Sequence, residues 1–205
     1  MKLVCTCLLY LLVSISAPVK DAISDESLNI LFVGNSLTYS NNLPELVEQV
    51  ASAHGVKITT EVLAYPNYAL EDHWNDGVMQ KRIASKKFQY VVVQQGPSSQ
   101  ADGRAMLLDY GQRIKTLCDK YHTQLVFFMV WPARANASMF DGVINNYTEA
   151  ASKTGSLLCP AGKIWKEHFE KTNDYSYYGP DNFHPSVAGS NVAAEAIFDV
   201  LASTP

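Results

Sequence analysis

The stretch Asn29-Ile-Leu-Phe-Val-Gly-Asn-Ser-Leu-Thr38 runs through four apolar residues, stops at Gly-Asn-Ser and passes straight into an amphipathic segment. A short apolar run bounded by turn formers suits a strand buried on both faces of a parallel sheet, and open α/β sheets place their ligands at the C-terminal ends of such strands. Ser36 is therefore delivered to the position where chemistry is usually done. A helix starting just after it would surround its hydroxyl and N–H with the positive potential of a helix N-terminus, which favours a developing oxyanion. Gly, Asn, Ser and Thr also make ordinary strand-to-helix turns, so the decision between turn and site rests on the rest of the chain.

Outward from this strand the pattern alternates. Leu43 to Ala53 repeats apolar residues at helical spacing and ends at His54-Gly55. Lys57 to Leu63 reads as a second strand, Leu70 to Ala84 as one helix, and Tyr90 to Val93 as a β-branched central strand. Asp102 to Tyr121 is helical. Gln124 to Trp131 is a fourth strand stopped by Pro132, followed by a helix over Met139 to Thr154. Leu157 to Cys159 makes a fifth strand, and the last helices span Ala161 to Lys171 and Pro185 to Ala202, the second with proline at its first position. Strands alternating with helices through short connections predict a three-layer α/β/α sandwich around a five-stranded, parallel, flavodoxin-like sheet. The irregular stretches Tyr65 to Ala69, Gln94 to Gly103, Pro132 to Ser138 and Thr172 to His184 are expected to gather at one edge of it.

The 205 residues fit one ordinary globular domain over 28–205, able to bury a full core and preceded by a polar lead-in over 18–27. A formal net charge of −4 lacks the basic surplus needed to grip a phosphate backbone, so nucleic acid is not an expected partner. Residues 1–17 combine Lys2, an apolar core and small residues near Ser16 and Ala17, as a signal peptide does, and the apolar run is shorter than the ~20 residues a spanning helix needs. The expectation is a secreted or periplasmic protein with no membrane span after cleavage. Cleavage leaves Cys118 and Cys159, compatible with a disulfide and equally with two buried thiols. Asn136-Ala-Ser138 and Asn146-Tyr-Thr148 are glycosylation sequons in a eukaryotic secretory pathway.

Near the other end stands Asp181-Asn-Phe-His184-Pro-Ser. An acid three residues before a histidine can fold back over one turn and accept a bond from the imidazole, setting its tautomer and stabilising the imidazolium formed when it takes a serine proton. One segment thus supplies a nucleophile, Ser36, and the other a base with its orienter, His184 with Asp181.

These two blocks resemble the SGNH/GDSL superfamily of serine esterases and lipases. Gly34-Asn35-Ser36-Leu37 stands where that family often has Gly-Asp-Ser-Leu, and Asp181-Asn182-Phe183-His184 matches its Asp-x-x-His signature. The resemblance implies an esterase with a Ser36–His184–Asp181 triad and an acyl-enzyme intermediate, using no cofactor or metal. It makes short-chain or O-acetyl esters, including carbohydrate O-acetyl groups, reasonable substrates, with lipid and other small esters equally compatible. It also implies an oxyanion hole at Ser36 N–H, at Asn67 in place of the family's glycine, and at a side chain of the Gln95 to Ser98 turn, where Gly96-Pro97-Ser98 replaces Gly-x-Asn. Register favours Ser98 and reach favours Gln95. Because these inner blocks depart from the family, a catalytically inactive carbohydrate-binding protein on the same fold is the alternative.

Other readings fare worse. An α/β-hydrolase elbow needs glycine where Thr38 stands. The Gly-Asn-Ser loop lacks the lysine or repeated glycines of a nucleotide phosphate loop. Asp72, His73 and His168 lack metal-ligand spacing and read as solvated helix residues. Trp74, Trp131, Tyr65 and Tyr68 read as core or rim aromatics, and Arg134 and Asp141 as surface.

Overall fold

A computed structural model describes residues 27–85 and 87–203. The expected signal peptide and nearly all of the lead-in lie outside the described residues. Five strands, β1 (Leu28–Gly34), β2 (Ile58–Ala64), β3 (Tyr90–Val93), β4 (Gln124–Phe128) and β5 (Leu157–Cys159), form one sheet in the order β2-β1-β3-β4-β5. Every pairing is parallel, with Val33 beside Leu63 on one side and Val93 on the other. This is the flavodoxin-like order expected of the sequence.

The helices are α1 (Ser36–Tyr39), α2 (Leu43–Ala53), α3 (Leu70–Asp76), α4 (Val78–Ser85), α5 (Ala101–Lys120), α6 (Phe140–Thr154), α7 (Ala161–Thr172) and α8 (Val187–Ala202). Right-handed crossovers fix their layers. The step from β1 to β2 runs opposite to the later steps, so α2 covers one face and α3 to α6 the other. Accordingly α2 packs against α8, and α5 against α6. Ile30, Leu31, Phe32 and Val33 of β1 are completely buried between the layers, each contributing about 1.5–3 kcal/mol of apolar burial. On α2, Leu43, Val47 and Ala51 fall on one buried stripe.

The structure corrects three element readings. The helix expected over Leu70 to Ala84 is two, because Gly77 adopts φ +69° and closes α3 with a left-handed cap. The β4 ladder ends at Phe128; Met129, Val130 and Trp131 are also buried, which is why the apolar run outlasts the strand. Helix α8 begins at Val187, with Ser186 as its cap accepting from Gly189 N–H at 3.1 Å. Pro185 lies before the helix, bridged to Tyr178. Cys118 and Cys159 are buried free thiols, both pushed up to about 12 by burial. Among the described residues no helix is long and apolar enough to cross a membrane.

Candidate active site

Strand β1 ends at Gly34, and Asn35 turns the chain into α1. The Asn35 side chain caps that turn, accepting from Leu37 N–H at 3.1 Å, and its amide donates to Tyr68 O at 3.0 Å. Gly34 is required by packing. A Cβ there would collide with Thr38 Oγ1 and Gln94 Oε1, the latter accepting from Asn35 N–H at 3.0 Å and from Thr38 Oγ1 at 2.9 Å. Ser36 opens α1, so its N–H has no acceptor within the helix and faces outward from the first turn.

The segment before α8 brings the second block to this serine across 148 residues of sequence: His184 Nε2 lies 2.8 Å from Ser36 Oγ. His184 Nδ1 lies 2.5 Å from Asp181 Oδ2, while Asp181 Oδ1 accepts the N–H groups of Phe183 at 3.0 Å and His184 at 2.9 Å. The His184 bond first, then the backbone N–H of Phe183, hold the Asp181 carboxyl at about 2. A carboxylate ionised throughout the neutral range thus faces Nδ1, which fixes the proton there and leaves Nε2 as the acceptor toward Ser36. The loop is anchored from β4's side: Trp131 Nε1 donates to Phe183 O at 3.0 Å, Arg134 N–H to Asn182 O at 2.9 Å, and Tyr178 Oη to Pro132 O at 2.7 Å.

Asn67 sits in a turn whose Tyr68 N–H bonds Tyr65 O at 3.3 Å, with Pro66 second and Asn67 third at φ +61°. That is the pattern of a type II turn, in which asparagine tolerates the positive φ. Tyr65 N–H donates to Gly34 O at 3.2 Å. With the Asn35 to Tyr68 bond, both flanks of Asn67 are therefore tied to the Ser36 turn.

The two side chains expected to offer a donor from the third block, Gln95 and Ser98, are both engaged by protein groups. Gln95 is buried with Oε1 accepting from Leu70 N–H at 2.8 Å and Nε2 directed at Met106 Sδ at 3.0 Å. Ser98 donates its hydroxyl to Gly96 O at 2.8 Å, its carbonyl accepts from Asn146 Nδ2 at 2.7 Å, and Tyr147 Oη donates to Gln95 O. The Gln95 side chain ties the segment after β3 to α3 and α5, and the Ser98 hydroxyl closes its own turn.

His73 is not a solvated helix residue. It is 1% exposed, and its Nε2 is 2.8 Å from Gly34 O. Leu70 and His73 are the two buried positions of α3, three apart, a spacing that marks His73 as facing the core. Asp72 caps the same helix through Ala69 N–H at 2.8 Å, and His168 pairs with Asp174 at 3.2 Å. Gln94 and Trp131 are further residues the motifs did not indicate. Among the described residues no three His, Cys, Asp or Glu side chains group as metal ligands.

A cleft of about 350 Å³ is lined among others by Ser99, Gln100, Pro132, Asn136, Met139 and Phe183, the residue before His184, with no charged side chain in its wall. Tyr39 and Tyr65 are exposed next to the serine, one a helical turn beyond it and the other bonded to Gly34.

No family model and no curated protein matches the sequence. Solved structures do. A protein of Slackia heliotrinireducens described as an SGNH hydrolase is 22% identical, with a TM-score of 0.73 over 86% of this chain and 100% of that one. A lipase/acylhydrolase from Enterococcus faecalis is 14% identical, TM-score 0.67, over 84% and 94%. A variant of Axe2, an acetyl-xylooligosaccharide esterase from Geobacillus stearothermophilus, is 17% identical, TM-score 0.63, over 86% and 95%. The chain has the fold of the SGNH hydrolases.

Proposed function

We propose that this chain is a serine esterase that hydrolyses carboxylic esters through an acyl-enzyme. The observation carrying this reading is the unbroken line of bonds Ser36 Oγ to His184 Nε2 at 2.8 Å and His184 Nδ1 to Asp181 Oδ2 at 2.5 Å. As the Ser36 oxygen forms its bond to the ester carbonyl, its proton passes to His184 Nε2, and the adjacent carboxylate stabilises the imidazolium. Collapse of the tetrahedral intermediate breaks the bond to the alcohol, which takes that proton. Water then repeats the sequence on the acyl-enzyme, releasing the acid and free Ser36. The N–H groups of Ser36 and Asn67 serve as oxyanion donors in this reading.

The substrate is a neutral carbohydrate carrying a short acyl group, such as O-acetyl. The uncharged, mixed polar and apolar cleft and the exposed Tyr39 and Tyr65 support this, since such walls suit hydroxyls and sugar faces. The acetyl-xylooligosaccharide esterase among the structural neighbours agrees with it. The alternative, an inactive carbohydrate binder, draws on the inward-turned Gln95 and Ser98, which leave the oxyanion hole without the side-chain donor expected of the third block.

Hydrolysis of p-nitrophenyl acetate by wild type and Ser36→Ala separates the two. The esterase reading expects wild-type turnover and loss of it in the variant; equal rates abandon it. Acetylated neutral sugars should then be better substrates than p-nitrophenyl octanoate, and the opposite order would overturn the carbohydrate assignment.

A further inference from the structure

We propose that His73 is a positioning residue that fixes the nucleophile turn and the Asn67 turn relative to each other, a role that rests on Ser36 being the nucleophile. The carbonyl of Gly34 can only accept, so the proton of the His73 ring is on Nε2, 2.8 Å from Gly34 O. The neutral ring then leaves Nδ1 as an acceptor, and that atom is buried with no partner among the described residues. Burial, the largest influence, lowers its pKa below the ordinary 6.5 and keeps the ring neutral. An apolar side chain would fill the same space without stranding a ring nitrogen. What the imidazole adds is the bond to Gly34.

That bond closes a circuit. Gly34 O accepts from both His73 and Tyr65 N–H, the second at 3.2 Å. The rings of Tyr65 and Tyr68 pack on His73, Tyr65 nearly parallel at 5.9 Å and Tyr68 edge-on at 5.1 Å. Between these tyrosines lie Pro66 and Asn67. Tyr68 O in turn accepts from the Asn35 amide at 3.0 Å, and Asn35 precedes Ser36. His73 thus holds the last residue of β1 through its nitrogen and the Asn67 turn through its ring faces. The N–H groups of Ser36 and Asn67 must converge on one oxygen, and displacing a reacting group by about 1 Å costs on the order of 10²-fold in rate. His73 itself touches neither Ser36 nor His184 in any bond of the structure, so it acts through Gly34 and the turn.

The test uses p-nitrophenyl acetate with three variants. H73F keeps a ring of similar size and loses the donor. H73Q keeps a donor that reaches toward Gly34. S36A reports on the underlying reading. We expect H73F to lower kcat about ten- to a hundredfold with KM within twofold and with an unchanged circular dichroism spectrum, and H73Q to recover kcat to within about threefold of wild type. An S36A protein as active as wild type overturns the esterase reading and this proposal with it. An inactive S36A beside an H73F with wild-type kcat overturns the role of His73 alone. A kcat loss in H73F that H73Q fails to rescue also overturns it, because packing rather than the donor is then at stake. Should H73F not fold, the wild-type protein decides: the His73 Nε2–H resonance should shift when a phosphonate ester forms its tetrahedral adduct on Ser36, and an unmoved resonance overturns the proposal.

Discussion

Asp181 shows how much a single side chain does here, since its carboxylate accepts three N–H groups, two from the backbone of its own turn and one from His184. Replacing it with asparagine removes the charge and leaves a carbonyl oxygen for the backbone, so Asp181→Asn should fold normally and lose ~10³ to 10⁴ in kcat, measured on p-nitrophenyl acetate. With Asp181 at about 2, its titration lies far below neutral pH, and the acid limb of kcat/KM should follow a single proton to which Asp181 contributes nothing. A limb requiring two protons would mean that Asp181 titrates with it. Gln95→Ala and Ser98→Ala should move stability instead of chemistry. Removing the Gln95 amide strands the Leu70 N–H, a cost of ~1–3 kcal/mol, with kcat changing less than threefold. A hundredfold fall in kcat for either variant would return a side chain to the oxyanion hole. The meeting of Ser36, His184 and Asp181 was legible because its signals are local: a serine at a strand end, and an acid three residues from a histidine. The direction of Gln95 was not, because its partners Leu70 and Met106 lie 25 and 11 residues away and both belong to helices whose placement no motif gives.

At the scale of elements, the buried strands were the most readable because parallel strands covered on both faces are continuous apolar runs, and Tyr90 to Val93 needed nothing more. What failed were boundaries decided by one backbone angle or by a third element. Gly77 sits inside a sequence that carries helical periodicity on both sides, and only its φ of +69° separates α3 from α4. The break matters because it ends α3 one turn after His73 and lets Gln80 of α4 donate back to Trp74 O at 2.7 Å. Gly77→Ala should therefore destabilise the fold by about 1 kcal/mol, since an L side chain is strained in the left-handed region, with kcat little changed. A more stable variant in thermal unfolding would show that one continuous helix is compatible with the fold. Trp131 belongs to this scale too. It extends past the β4 ladder, stacks on Trp165 at 3.5 Å and donates to Phe183 O, tying the end of a strand to the loop that carries His184. The apolar run gave its burial away, but not the indole's bond.

Across the whole molecule, pH acts on stability through groups whose folded environments differ from water, and two of them separate cleanly. The His73 ring is buried against Tyr65, Tyr68 and the Gly34 carbonyl, with Asp72 and Asp76 of its own helix as the nearest charges, and the burial outweighs those carboxylates so that its folded pKa lies below 6.5. The unfolded chain then binds a proton that the native protein refuses, so the contribution of His73 is complete above about pH 6.5 and is lost as pH falls below it. Asp181 works lower. Its folded value of about 2 against an ordinary 3.8 makes its contribution complete above about pH 4 and lost between there and pH 2; Asp174 and Glu149, whose values are also lowered, by Ser176 and by Lys153 with Arg104, act in the same direction on the acid side. Urea midpoints measured from pH 8 down to pH 3 should therefore fall in two stages. In His73→Gln, which cannot titrate, the decline that sets in below about pH 6.5 should flatten while the lower stage persists; in Asp181→Asn the upper stage should be intact and the lower one only reduced. A His73→Gln protein that declines as steeply as wild type across the upper stage would mean that His73 takes up its proton as readily when folded as when unfolded, and that the ring is not held neutral against Gly34.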